Sequence, residues 1–184
     1  RYMRGCKLCK IQIANKKNSH IISKFLGKGL FTTIPHRYSI AFGKNGVKEK
    51  IQDTVKEDYI FCTSCEKRMG FVETFFAKSL KEVYAYEEFE DEFSISDFKG
   101  QEYIEAKELH PNMYKLFFYL QAWRLSISEC DYYKNYKLDA EIEEKLRRFL
   151  SLNLKTSHKD LIQNLDFCVE DPELLSCFII PKQI

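Results

Sequence analysis

Tyr59-Ile60-Phe61-Cys62-Thr63-Ser64-Cys65-Glu66 decides the fold, because it has an earlier counterpart in Cys6-Lys7-Leu8-Cys9. In a Cys-x-x-Cys knuckle the two-residue gap lets both sulfurs face one ion while backbone N–H groups bond to them. Two knuckles supply four thiolates, the tetrahedral donor set of a closed structural zinc site. The 52 residues between Cys9 and Cys62 (positions 10 to 61) are too many for a compact zinc ribbon. The ion is therefore expected to join the start of the chain to the start of a helix beginning near Cys65. The seven cysteines are an odd number, which argues against a complete disulfide framework. In a reducing compartment, paired cysteines read as metal ligands. Cys130, Cys168 and Cys177 stand alone and are expected as buried apolar residues.

Outward from the knuckles, residues 1–65 are polar and turn-rich. Arg37 to Phe42 (RYSIAF) reads as a strand before a Lys44-Asn45-Gly46 turn, and Asp58 to Phe61 as a second short strand leading into Cys62. After Cys65 the period becomes helical, with Val72, Phe76, Leu80 and Val83 at helical spacing and Phe75 beside them. The acidic run Glu87 to Glu92 reads as a solvated connector. Pro111 opens an amphipathic helix whose stripe is Met113, Leu116, Phe117, Leu120, Trp123 and Ile127. A further helix runs from about Ala140 to Leu152 with Asp139 as N-cap, and Ser157 with Asp160 forms a capping box for a short last helix. Leu174 to Pro181 is an apolar tail segment. The fold class expected is α+β: a zinc-stapled module over residues 1–86, then a mainly helical region over residues 87–184.

Composition narrows the function. A chain of 184 residues with 45% hydrophobic and 15% aromatic residues can bury a core of large rings without disulfides. The formal charge of +2 excludes a uniformly basic polyanion binder. Contact with phosphates would have to come from a local patch such as Lys16, Lys17, Lys24, Lys28 and Lys44, with His36 and Arg37 beside it. No run approaches the roughly 20 apolar residues of a membrane span. Residues 1–10 lack the apolar core of a secretory signal, so a cytoplasmic protein without membrane association is expected. Arg147 and Arg148, among Glu141, Glu143 and Glu144, read as structural ion pairs, and Arg124, inside an apolar helix, requires a buried partner.

Between the knuckles lies Asn18-Ser19-His20-Ile21-Ile22-Ser23-Lys24-Phe25. The order of knuckle, His-Ile-Ile segment, loop and apolar-Cys-x-x-Cys helix start resembles the zinc-bearing HNH endonucleases, whose core is a ββα-metal unit. It is closest to an uncharacterised bacterial group related to them. The chain shares with that group Gln52-Asp53, Lys56-Glu57, Cys62 to Glu66, the segment Trp123 to Ser128 and the stretch Glu143 to Arg147. The resemblance implies a ββα N-terminal half and metal-dependent hydrolysis of phosphodiester bonds. His20 would be the general base, and Glu66 would be catalytic as well as a ligand. A Mg²⁺ or Mn²⁺ ion would be held by Glu66 with Glu57 or Asp58, Asp53 being another candidate. The partners implied are nucleic acid (DNA before RNA), a protein partner in a phage-defence complex, and a second copy of the chain. This sequence departs from the family at three places. Ser19 stands where the family has an Asp, Glu57 or Asp58 where it has an Asn, and Glu66 where it has a His. Those departures keep a second class open, a non-catalytic zinc module that binds a protein or nucleic acid.

Overall fold

The computed structural model describes residues 4–27, 38–42, 48–83, 93–106 and 110–167. Among the described residues it is an α+β protein of short antiparallel strand pairs and four α-helices. Strand β1 (Ser19–His20) pairs with β4 (Lys56–Glu57), placing Ser19 opposite Glu57 and His20 opposite Lys56. Between them in sequence, β2 (Ser39–Phe42) and β3 (Lys48–Ile51) form a second antiparallel pair. Helix α1 (Thr63–Val83) follows. Next come strands β5 (Phe93–Phe98) and β6 (Gln101–Ala106), and then helices α2 (Pro111–Ile127), α3 (Ala140–Asn153) and α4 (His158–Gln163).

Local chemistry explains most boundaries. Helix α2 opens on Pro111, whose missing N–H costs nothing in a first turn. His110 caps it, its Nδ1 accepting from the Asn112 N–H at 3.2 Å. Asp139 accepts from the Glu141 N–H at 2.9 Å to start α3, and Ser157 accepts from the Asp160 N–H at 3.1 Å to start α4. The cap of α1 comes from a distant segment. Asn15 Oδ1 accepts from both the N–H and the hydroxyl of Thr63, so the helix is held from its first residue and not only from Cys65.

Two strand expectations change. The second short strand lies at Lys56–Glu57 and not at Asp58 to Phe61. Tyr59 adopts a φ of 58°, a left-handed conformation that breaks an extended run and costs a bulky residue on the order of 1–2 kcal/mol. Hydrogen bonds hold it there, the Tyr59 N–H donating to the Lys16 carbonyl at 2.7 Å and the Lys16 N–H to the Phe61 carbonyl at 3.0 Å. Ile60 and Phe61 are consequently both buried, which an alternating surface strand does not permit. The β5–β6 hairpin is an element that the helical expectation for residues 87–184 omitted. Lys99 and Gly100 both have positive φ, the two-residue turn that matches strand twist. The acidic run at residues 87–92 and the apolar tail at 174–181 lie outside the described residues.

One buried cluster draws on both expected halves. Leu8, Ile21, Phe61, Met69, Val72 and Phe76 pack with Met113, Leu116, Phe117, Leu120, Trp123, Leu146 and Leu150. Every member of the α2 stripe read from the sequence is buried. Phe76 and Phe117 stack with centroids 4.1 Å apart, and Phe61 meets Trp123 at 5.8 Å, joining the second knuckle to α2. Among the described residues no helix is long and apolar enough to cross a membrane.

Candidate metal centre and adjoining histidine

The first knuckle is a tight hairpin. The Cys6 N–H donates to the Gln12 carbonyl at 2.7 Å, and the Lys10 N–H closes the turn on the Cys6 carbonyl at 2.9 Å. Lys10 takes a φ of 57° to allow this. The second knuckle is the start of α1. The Lys7 N–H donates to the Ile60 carbonyl at 2.9 Å and brings the two together. The Sγ atoms of Cys6, Cys9, Cys62 and Cys65 all lie within 4.8 Å of one another. Cys6, Cys62 and Cys65 are buried and Cys9 is half-buried. Backbone N–H groups point at the sulfurs as a thiolate site requires, Cys65 N–H to Cys62 Sγ at 3.4 Å and Gln12 N–H to Cys9 Sγ at 3.5 Å.

The electrostatics of this cluster favour a cation. A hydrogen bond with Cys65 lowers the Cys6 thiol to about 4, and the same contact raises Cys65. Burial raises Cys62. Four sulfurs this close cannot all ionise by themselves, and a divalent ion at their centre relieves the conflict by holding every one as thiolate. The four cysteines can therefore hold a metal ion, and the donor set fits it.

His20 sits on β1, partly exposed. Beside it the Ser19 hydroxyl, fully buried, donates to Glu66 Oε2 at 3.0 Å. His20 Nε2 lies 3.3 Å from Asp53 Oδ2, and Lys56 Nζ lies 2.6 Å from the same oxygen. The Ile21 N–H donates to the Val55 carbonyl at 3.0 Å, and the Thr54 hydroxyl donates to the Ile22 carbonyl at 3.0 Å. The Ser23 hydroxyl, also buried, donates to Glu73 at 2.5 Å. Burial works against ionisation of Asp53, yet the Lys56 ammonium and the His20 ring bring its carboxyl down to about 2. An ionised Asp53 only accepts, so the bond requires the proton on Nε2, and in the neutral ring Nδ1 is left as the acceptor.

The carboxylates expected to hold a second, catalytic ion all have hydrogen-bond partners within the protein. Glu57 accepts from the Ser128 hydroxyl and from the Glu129 N–H at 3.2 Å. Asp58 accepts from the Asn18 N–H at 2.8 Å. Glu66 accepts from Ser19. Among the described residues, only the four cysteines form a group of metal-binding size. Each of these three carboxylates is anchored by a hydrogen bond within the protein: Glu57 to Ser128 and the Glu129 N–H, Asp58 to the Asn18 N–H, and Glu66 to Ser19.

The partner that Arg124 required is Glu73, which its Nη1 contacts; the Arg124 side chain is 1% exposed. The whole Arg124-x-Ser126-x-Ser128 run proves to be a hub. Arg124 meets Glu73 on α1, Ser126 donates to Glu143 on α3, and Ser128 donates to Glu57 on β4. No sequence signal pairs these residues, since each partner is remote in the chain. Arg147 and Arg148 pair with Glu144 as expected, and Arg147 also donates to the Leu8 carbonyl at 2.7 Å. Lys16, Lys17 and Lys24 are exposed around the His20 segment. Cys130 is half-buried and not fully enclosed. Lys28, His36, Arg37, Lys44, Cys168 and Cys177 lie outside the described residues. Comparison of the chain with family models, curated proteins and solved structures gives no match.

Proposed function

We propose that this chain is a zinc-stapled module of HNH type that hydrolyses phosphodiester bonds in nucleic acid, with His20 as general base. Zinc suits four thiolates by softness and by its tetrahedral preference. Bound there, it supplies a structural tie between the first knuckle and α1. The observation that carries the catalytic reading is the His20–Asp53 pair. A partly exposed imidazole on β1 has one nitrogen fixed by a carboxylate and the other left to accept a proton from water. Asp53 orients the ring and selects the tautomer. Exposed Lys16, Lys17 and Lys24 provide local positive charge for a phosphate backbone. No step is assigned to a second metal ion.

Plasmid and single-stranded DNA cleavage with Mg²⁺ or Mn²⁺, run on wild type and His20→Ala, tests this. Cleavage by wild type and a loss of ~10²-fold or more in the variant is the expected result for a general base. Equal rates in the two proteins overturn it.

A second reading, a zinc module that binds a protein or nucleic acid without cleaving, is favoured by one observation. Glu57, Asp58 and Glu66 are each committed to internal hydrogen bonds. A wild-type protein that retains nucleic acid in a mobility-shift assay and cleaves nothing with either ion decides for it.

A further inference from the structure

We propose that Gln121 and Arg124 of α2, together with Glu73 of α1, are positioning residues for His20, so that the helical half sets the site and is more than a scaffold. This rests on the reading of His20 as the functional group. The Ser19-to-Ser23 segment is latched at both ends to one face of α1. Ser19 donates to Glu66 and Ser23 donates to Glu73, and these two glutamates lie two helical turns apart. The Ser23 end is built more heavily. Its N–H donates to Gln121 Oε1 at 3.1 Å, and its hydroxyl accepts from Gln121 Nε2 at 2.8 Å while donating to Glu73. Arg124, one turn further along α2, neutralises that same Glu73 from a position 1% exposed. Its guanidinium also reaches Met69 Sδ at 3.5 Å, and among the described residues its Nε has no partner.

A buried guanidinium with an unsatisfied N–H is expensive for stability alone, and an apolar residue of similar volume would fill the space at no such cost. What the ion pair achieves is placement. It fixes the Glu73 carboxylate where the Ser23 hydroxyl needs an acceptor, three residues after His20. Asp53 holds the ring itself, 3.3 Å from Nε2. The backbone around His20 is thereby held by α1, α2 and β4, and the ring by Asp53 in the loop before β4.

The test separates position from stability. Glu73→Leu with Arg124→Met removes both charges together, so neither is left buried and unpaired, while Ser23 loses its acceptor. Gln121→Leu removes the second tether by itself. Thermal unfolding and zinc content report the fold; amide exchange at Ile21 and Ser23 and the His20 ring resonances report the segment. The double variant is expected to melt close to wild type with zinc retained. In it the Ile21 and Ser23 amides exchange at least ~tenfold faster, and the His20 ring signals shift or broaden, while α3 amides are unchanged. If wild type cleaves DNA, the variant's kcat falls with KM unchanged. Wild-type exchange and unchanged His20 ring signals in both variants overturn the proposal. A wild type that does not cleave excludes hydrolysis at His20, and the exchange and ring data still decide on positioning.

Discussion

Removing one cysteine of the cluster is the most searching perturbation, because the four sulfurs tie the first knuckle to the start of α1. With Zn–S distances of about 2.3 Å, a regular tetrahedron places its sulfurs about 3.8 Å apart. The four Sγ atoms already lie within 4.8 Å, so closing on an ion requires movements of roughly 1 Å or less. Structural zinc contributes on the order of 10 kcal/mol of apparent folding free energy, comparable with the roughly 5–15 kcal/mol total stability of an ordinary domain. Cys65 is buried in the first turn of α1, whereas Cys9 is half-buried at the rim. Cys65→Ser should therefore cost more than Cys9→Ser: about 4 kcal/mol or more against about 2, the difference coming from solvent that can replace the lost sulfur at the rim. For a chain of this size, each kcal/mol shifts Tm by roughly 2–4 °C, so the expected drops are about 8–16 °C and about 4–8 °C. Calorimetry with elemental analysis checks both. Wild type should contain one zinc per chain, released by a thiol-specific mercurial. Metal-free protein with a native Tm, or Cys65→Ser melting with wild type, would refute the argument.

Asp53→Asn should leave zinc content unchanged and lower any cleavage rate ~10-fold or more, because the amide no longer fixes the His20 tautomer; undiminished cleavage removes Asp53 from the site. Asp53 also makes stability depend on pH. Its folded carboxyl is held at about 2, below the ordinary 3.8, so its contribution is present above about pH 4 and fades as pH falls through 2. Screening at a partly exposed site limits that contribution to ~1 kcal/mol, measurable as the difference in acid unfolding between wild type and Asp53→Asn. Arg124→Met alone leaves Glu73 partly buried without its cation and should destabilise by about 3 kcal/mol in urea, whereas adding Glu73→Leu should recover most of the loss. A single variant as stable as wild type would show that the pair is electrostatically idle.

Local rules carried much of the fold. Pro111, Asp139 and Ser157 mark helix starts because a proline ring or a capping oxygen acts within one turn of its own position. The Met113-to-Ile127 stripe is buried throughout because helical period alone assigns a face. Lys99-Gly100 between two alternating runs is a local signal for the β5–β6 hairpin, and the acidic composition ahead of it masks that signal. Tyr59 was not legible, because a left-handed tyrosine is held by hydrogen bonds from residues some 40 positions earlier and not by its own preference.

By itself the sequence determined the candidate metal ligands, since two Cys-x-x-Cys spacings state the donor chemistry outright, and it determined which helix faces turn inward. Only the tertiary structure decided what the acids do. Glu57, Asp58, Glu66 and Glu73 look alike in sequence, yet they bind, respectively, Ser128, the Asn18 N–H, Ser19, and Ser23 with Arg124. The physical reason is that a thiolate cluster is specified by residue type and local spacing, whereas a carboxylate's role is set by whichever donor the folded chain brings within about 3 Å of it, and that donor is usually far away in sequence.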